Sequence, residues 1–159
     1  MPKARKALNT NAPYIRELAK LTETQDKITL ANWAVGYCEQ TLLPLCSKYY
    51  PLDPRPQDAL IAARQWLSGA IKLPQARKAI LACHAAAREA EGNPAAQAAA
   101  RAIGHSASTI HSARHCMGLA LYGALAIAYD WLGPHSPWEE IEQAAAAECT
   151  RMEASLLLI

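Results

Sequence analysis

Three histidines clustered in one short stretch carry the most suggestive chemistry in the chain. His105, His111 and His115 are followed by Cys116. On a helix His111 and His115, four apart, project from one face and could share a metal ion, with His105 supplied from the preceding turn. Zinc or iron would suit such an imidazole set. The pair lacks the intervening glutamate of the H-E-x-x-H zinc motif, and no carboxylate lies between His105 and His115. In the competing reading the rings donate to backbone carbonyls or to hydroxyls such as Ser108, Ser112 and Tyr122 inside a close helix interface.

A second group is cationic. Asp53-x-Arg55-Pro56 and Arg64 are followed by Arg77, His84, Arg88 and Arg101. Several lie in alanine-rich stretches whose other faces read as buried, so some guanidinium groups would sit at helix interfaces and need partners. Asp53, Asp58, Glu89 and Glu148 are the available acids. Asp53, Arg55, Arg64, His84, Arg88 and Arg101 are therefore candidates either for a polar framework that positions helices or for an anion or substrate pocket.

Covalent and nucleotide chemistry find no support. There is no G-x-S-x-G elbow, no cysteine beside a feature that would lower its pKa, and no glycine-rich phosphate loop. Cys83 and His84 are adjacent and on a helix would point about 100° apart. Cys38, Cys46, Cys83, Cys116 and Cys149 are odd in number and widely spaced, as expected of reduced, buried thiols. The four tryptophans, in a chain with no phenylalanine, read as core anchors; an exposed one would mark an interface.

These residues must be positioned by helices. Apolar spacings of three and four predict helices over 14–21 and 28–43, with Pro44 kinking or ending the second. Three prolines make 49–56 a rigid, non-helical connector. Helices follow from Pro56 to Gly69 and from Pro74 to Glu91, the latter stopped by Gly92. Asn93-Pro94 caps a further helix, for which a break is expected at Gly104-His105-Ser106. Gly133-Pro134 closes that stretch, and a last helix runs from Trp138 to about Leu157. Residues 1–13 read as a flexible N-terminal arm and 14–159 as one helical domain.

Composition agrees. Thirty-four of 159 residues are alanine, the strongest helix former, and hydrophobic residues make up 52% against 19% charged. The expected fold is an all-α, single-domain bundle of about six or seven closely packed helices. A net charge of +2 gives no reason to expect a nucleic-acid or membrane partner. Lys3, Arg5 and Lys6 precede no apolar signal segment, so a cytoplasmic location is expected. The apolar end Leu156-Leu157-Leu158-Ile159 either packs back on the core or joins two copies in a homodimer.

The chain resembles a family of small all-helical bacterial immunity proteins associated with polymorphic toxin systems. The resemblance runs through Trp33-Ala34 with Tyr37-Cys38, Tyr50-Pro51-x-Asp53-x-Arg55-Pro56 and Ala59-x-x-Ala62-Ala63-Arg64-x-Trp66-x-x-Gly69. It continues through Ala82-x-His84-x-Ala86-Ala87-Arg88, Ala99-Ala100-Arg101-Ala102-x-Gly104-His105 and Thr109-x-His111-x-x-x-His115, and covers about residues 30–130. It implies a protein that neutralises a cognate toxin by stoichiometric binding, without chemistry of its own. In that reading the His and Arg positions form an internal framework, and the toxin-facing residues lie outside the motif. The alternative function is a metal-binding helical protein or enzyme built on His105, His111 and His115.

Overall fold

A computed structural model describes residues 3–159. Among these residues there is no strand, and the chain folds as an all-helical bundle. Its helices are α1 (Pro13–Glu23), α2 (Lys27–Tyr37), α3 (Leu43–Tyr49), α4 (Arg55–Leu67), α5 (Leu73–Glu89), α6 (Pro94–Ser108), α7 (Leu125–Leu132) and α8 (Trp138–Leu157).

Helices α2 and α3 form one rod, because a wide π turn, Cys38–Leu42, joins them. Pro44 lacks an N–H and its ring would strike the carbonyl four residues earlier; widening the preceding turn makes room. The helix therefore passes through Pro44 and ends only at Tyr49, further than the expected stop near Leu43. A second π turn, Leu119–Ala124, leads into α7. Counted as continuous rods, the helices number seven among the described residues.

Helix α6 is the central post. Asn93 caps it, its Oδ1 accepting the Ala96 N–H at 3.1 Å, and Pro94 opens its first turn. Ala95, Ala96, Ala98, Ala99, Ala100, Ala102, Ile103 and Ala107 are all buried, against α3, α4, α5, α7 and both π turns. Methyl-sized side chains let these neighbours approach closely, and Leu42, Leu60, Leu119 and Leu125 fill the space between them. The expected break at Gly104-His105-Ser106 does not occur. Helix α6 runs to Ser108 and the chain turns at 109–112 instead, because Gly104 serves a side-to-side packing contact and Ser106 is buried rather than capping.

Residues 3–12 of the expected arm lie along the bundle, while Met1 and Pro2 fall outside the described residues. Leu8 is buried and its N–H donates to the Leu121 carbonyl at 3.0 Å, while Tyr129 Oη donates to the Arg5 carbonyl at 2.7 Å. The Arg5 guanidinium sits 3.9 Å over the Trp138 ring. At the other end Leu156 is buried and Leu157, Leu158 and Ile159 are exposed.

Candidate functional site

The cationic residues separate into two populations. Arg55 and Arg64 are fully engaged. Arg55 donates to both oxygens of Asp53 on one side and to both oxygens of Glu89 on the other, at 2.7–3.1 Å, which ties the proline connector to the end of α5. These bonds hold the Asp53 and Glu89 carboxyls below their ordinary pKa range. Arg64 donates to Glu39 at 2.8 and 3.2 Å and to Asn32 at 2.9 Å, locking α4 to the α2–α3 rod. These two arginines are polar framework, with planar bidentate geometry that lysine could not supply.

His84, Arg88, Arg101 and His105 are different. Helices α5 and α6 form a hairpin across the short turn 90–93, and the His84 and His105 rings meet edge to face with centroids 5.3 Å apart. Arg88 lies one turn beyond His84 toward the hairpin bend, and Arg101 one turn before His105. The same antiparallel register therefore sets Arg88 level with Arg101. On α6 the part-exposed residues after Gln97 are Arg101, His105 and Ser108, one stripe at spacings of four and three. Tyr122, from the second π turn, stacks on His105 at 5.1 Å and 9°, and His115 closes the cluster with its centroid 5.8 Å from that of His105.

Two glycines make this arrangement possible. A methyl group on Gly104 would come within 2.6 Å of the His84 ring, and one on Gly118 within 2.2 Å of the His105 Cβ. Burial and the neighbouring cations push the imidazoles toward the neutral form. His105 is pulled down to about 4, first by burial and then by His84, His115 and Arg101. His84 is lowered by burial, Arg101 and Arg88, and His115 by burial and Arg114. Among the described residues, no carboxylate shifts any of the three.

The metal set expected from spacing does not assemble. Helix α6 ends before His111, which is exposed in a turn, and His115 sits in a short 3₁₀ segment, Ala113–Cys116, so the two never share an α-helical face. Among the described residues no group of three or more His, Cys, Asp or Glu is placed to hold a metal ion. Sequence spacing gives no sign of Gly118 as the position that admits the His105 ring.

The five thiols are free and buried. Burial pushes Cys38, Cys46 and Cys149 up to about 12 and Cys116 to about 11. Glu148 is another framework residue. Only 5% exposed, it accepts from the Tyr37 hydroxyl and from Arg151 at 2.7 and 3.0 Å, joining α8 to α2.

Of the four tryptophans, Trp33 is a core anchor whose indole N–H donates to Ser155 Oγ at 2.8 Å, and Trp66 and Trp138 are part-buried. Trp131 breaks the expectation: at the end of α7, two residues before Gly133 stops the helix, it is 78% exposed. The preceding Asp130 accepts from Lys48 and from the Tyr49 hydroxyl at 2.7 Å, so α7 is pinned to the end of α3. Trp131 thus shares one end of the bundle with the exposed Tyr49, Tyr50 and Leu52, the last 95% exposed. Beside it lies a cavity of about 350 Å³ lined by Thr41, Pro44, Lys48, Ile127 and Asp130 among others.

The model of one protein family, described as "Imm-5 like putative immunity protein", matches residues 20–155. The chain belongs to that family. The match takes in α2 through α7 and most of α8, and with them both the engaged arginines and the histidine cluster. No curated protein and no solved structure matches the chain. Within the immunity-protein family fold, no helix among the described residues is long and apolar enough to cross a membrane.

Proposed function

We propose that the protein is a bacterial immunity protein that neutralises a cognate toxin in the cytoplasm by stoichiometric binding. The observation that supports this beyond family membership is the exposed aromatic end of the bundle. Trp131, Tyr49, Tyr50 and Leu52 lie there around the Asp130 tie, and the helices beneath hold them in place. Tryptophan and tyrosine are the side chains that most often dominate protein interfaces, because each buries a large area at little entropic cost. Trp131, Tyr49 and Leu52 also fall outside the shared motif residues, as a surface matched to one particular toxin should.

The test is co-expression with the toxin-like protein encoded beside the gene. Growth should be restored, the two proteins should purify as a stoichiometric complex, and Trp131→Ala with Leu52→Asp should abolish both while leaving the fold intact. Continued toxicity in the presence of folded protein overturns the reading. Protection that survives the double substitution removes this end as the binding surface.

A further inference from the structure

The histidine and arginine face of the α5–α6 hairpin is built differently from the carboxylate-paired arginines. Arg55, Arg64 and Arg151 each find a carboxylate. Among the described residues, Arg88 and Arg101 find neither an ion pair nor a hydrogen-bond acceptor. The part-buried rings of His84, His105 and His115 also make no hydrogen bond. Two arginines and three imidazoles thus lie along one face with no carboxylate among them.

Leaving part-buried Arg101 and three part-buried imidazoles unpartnered is costly in the empty protein, while Arg88 beside them stays exposed. The neighbouring arginines disfavour charge on His84 and His105, and part-buried donors lose solvent without gaining an acceptor. The acid nearest in sequence, Glu89, feels Arg88 but is bound by Arg55. The rings are nevertheless held by specific means, with Gly104 and Gly118 reduced to hydrogen to admit them and Tyr122 stacked on His105. A structural role alone would be served by apolar side chains at these positions. What such a face lacks is a compact group with several acceptor oxygens and more than one negative charge.

We propose that this face is a binding site for a phosphate-class oxyanion, with Arg88 and Arg101 clamping it from the two helices and His84 and His105 donating beside them. Two arginines from opposite sides offer the planar forks that match such oxygens. A dianion suits the site better than a single carboxylate, because it offsets both guanidinium charges and has oxygens left to accept from the imidazole N–H groups. The same ligand chemistry reaches a protein either as free phosphate or as the phosphate chain of a nucleotide.

The experiment is titration of the intact protein with inorganic phosphate and, separately, with ADP. It is followed by calorimetry and by the imidazole Cε1–H resonances, with chloride at matched ionic strength as reference. Saturable 1:1 binding is expected, with resonance shifts confined to His84, His105 and His115 and an upward move of the His105 pKa in the bound state. Arg88→Gln with Arg101→Gln should weaken binding about tenfold or more, whereas Arg16→Gln on α1 should leave it unchanged. Tighter binding of ADP identifies a nucleotide phosphate as the ligand, and equal binding identifies free phosphate. No saturable binding of either, equal shifts with chloride, or binding undiminished in the double variant while circular dichroism shows it folded, overturns the proposal.

Discussion

The His84 ring stands at 77° to that of His105, 5.3 Å away, across a helix pair in which no carboxylate faces either imidazole. Protonating one ring therefore places charge beside Arg88, Arg101 and the other ring. The folded pKa of His105, about 4, lies below the ordinary value of 6.5, so between the two the folded state holds fewer protons than the unfolded chain. The resulting stability is fully present above about pH 6.5 and is lost as pH falls toward 4. Discounted for a half-exposed ring, it amounts to about 2 kcal/mol for His105. Urea midpoints measured from pH 7.5 to 4.5 should fall, and the His105→Gln protein should show a shallower fall.

Gly118 and Gly104 should differ in their tolerance of a methyl group. At Gly118 the clash is with the His105 Cβ, which cannot move without its helix, whereas at Gly104 it is with the His84 ring, which can swing outward. Gly118→Ala should destabilise by about 3 kcal/mol and Gly104→Ala by about 1–2 kcal/mol. Thermal melts of the two variants check the order. The reverse order would place the constraint on the ring rather than on the backbone.

Glu148 is buried with two partners of unequal exposure, Tyr37 inside and Arg151 at the surface. Removing either leaves a buried carboxylate short of a donor, at about 1–3 kcal/mol. Tyr37→Phe and Arg151→Ala should therefore each destabilise. In a double-mutant cycle the two losses should not add, since both act through the same carboxylate.

Burial holds all five thiols protonated and out of reach. In native protein, dithionitrobenzoate should react only as fast as the chain unfolds, and then with five equivalents. A fast stoichiometric reaction before unfolding would mean that one of them has an open path to solvent.

Trp131 should be dispensable for folding. Trp131→Ala is expected to change stability by no more than about 0.5 kcal/mol. Trp33→Ala, which empties a core site and removes the indole N–H bond to Ser155, should cost about 3–5 kcal/mol. Denaturant curves of the two proteins separate the surface tryptophan from the structural one.

The helical architecture was legible because its signals are local. Asn93-Pro94, Gly133-Pro134 and the start at Trp138 are readable from capping and proline chemistry, and each lies where expected. Pro44 and Gly104 misled for the same reason in reverse. Both weaken a helix locally, yet one is absorbed by a π turn and the other by a ring packed against it, and neither remedy leaves a mark in nearby sequence. The pairing of His84 with His105 depends on hairpin register, and that of Arg64 with Glu39 on the packing of α4 against the α2–α3 rod. Spacing within one helix is silent on both. The exposure of Trp131 was likewise illegible, since an apolar run at a helix end reads the same whether it faces core or solvent.

The alanine-walled post of α6 also sets how the interior responds to change. An alanine has no rotamer to surrender on folding and none to switch afterward. Side chains around Ala99, Ala102 and Ala107 have little freedom to rearrange, so an added methylene there must be met by sliding whole helices. Variation in such a protein is channelled outward: the interior can barely drift, and change falls to the loops and helix ends.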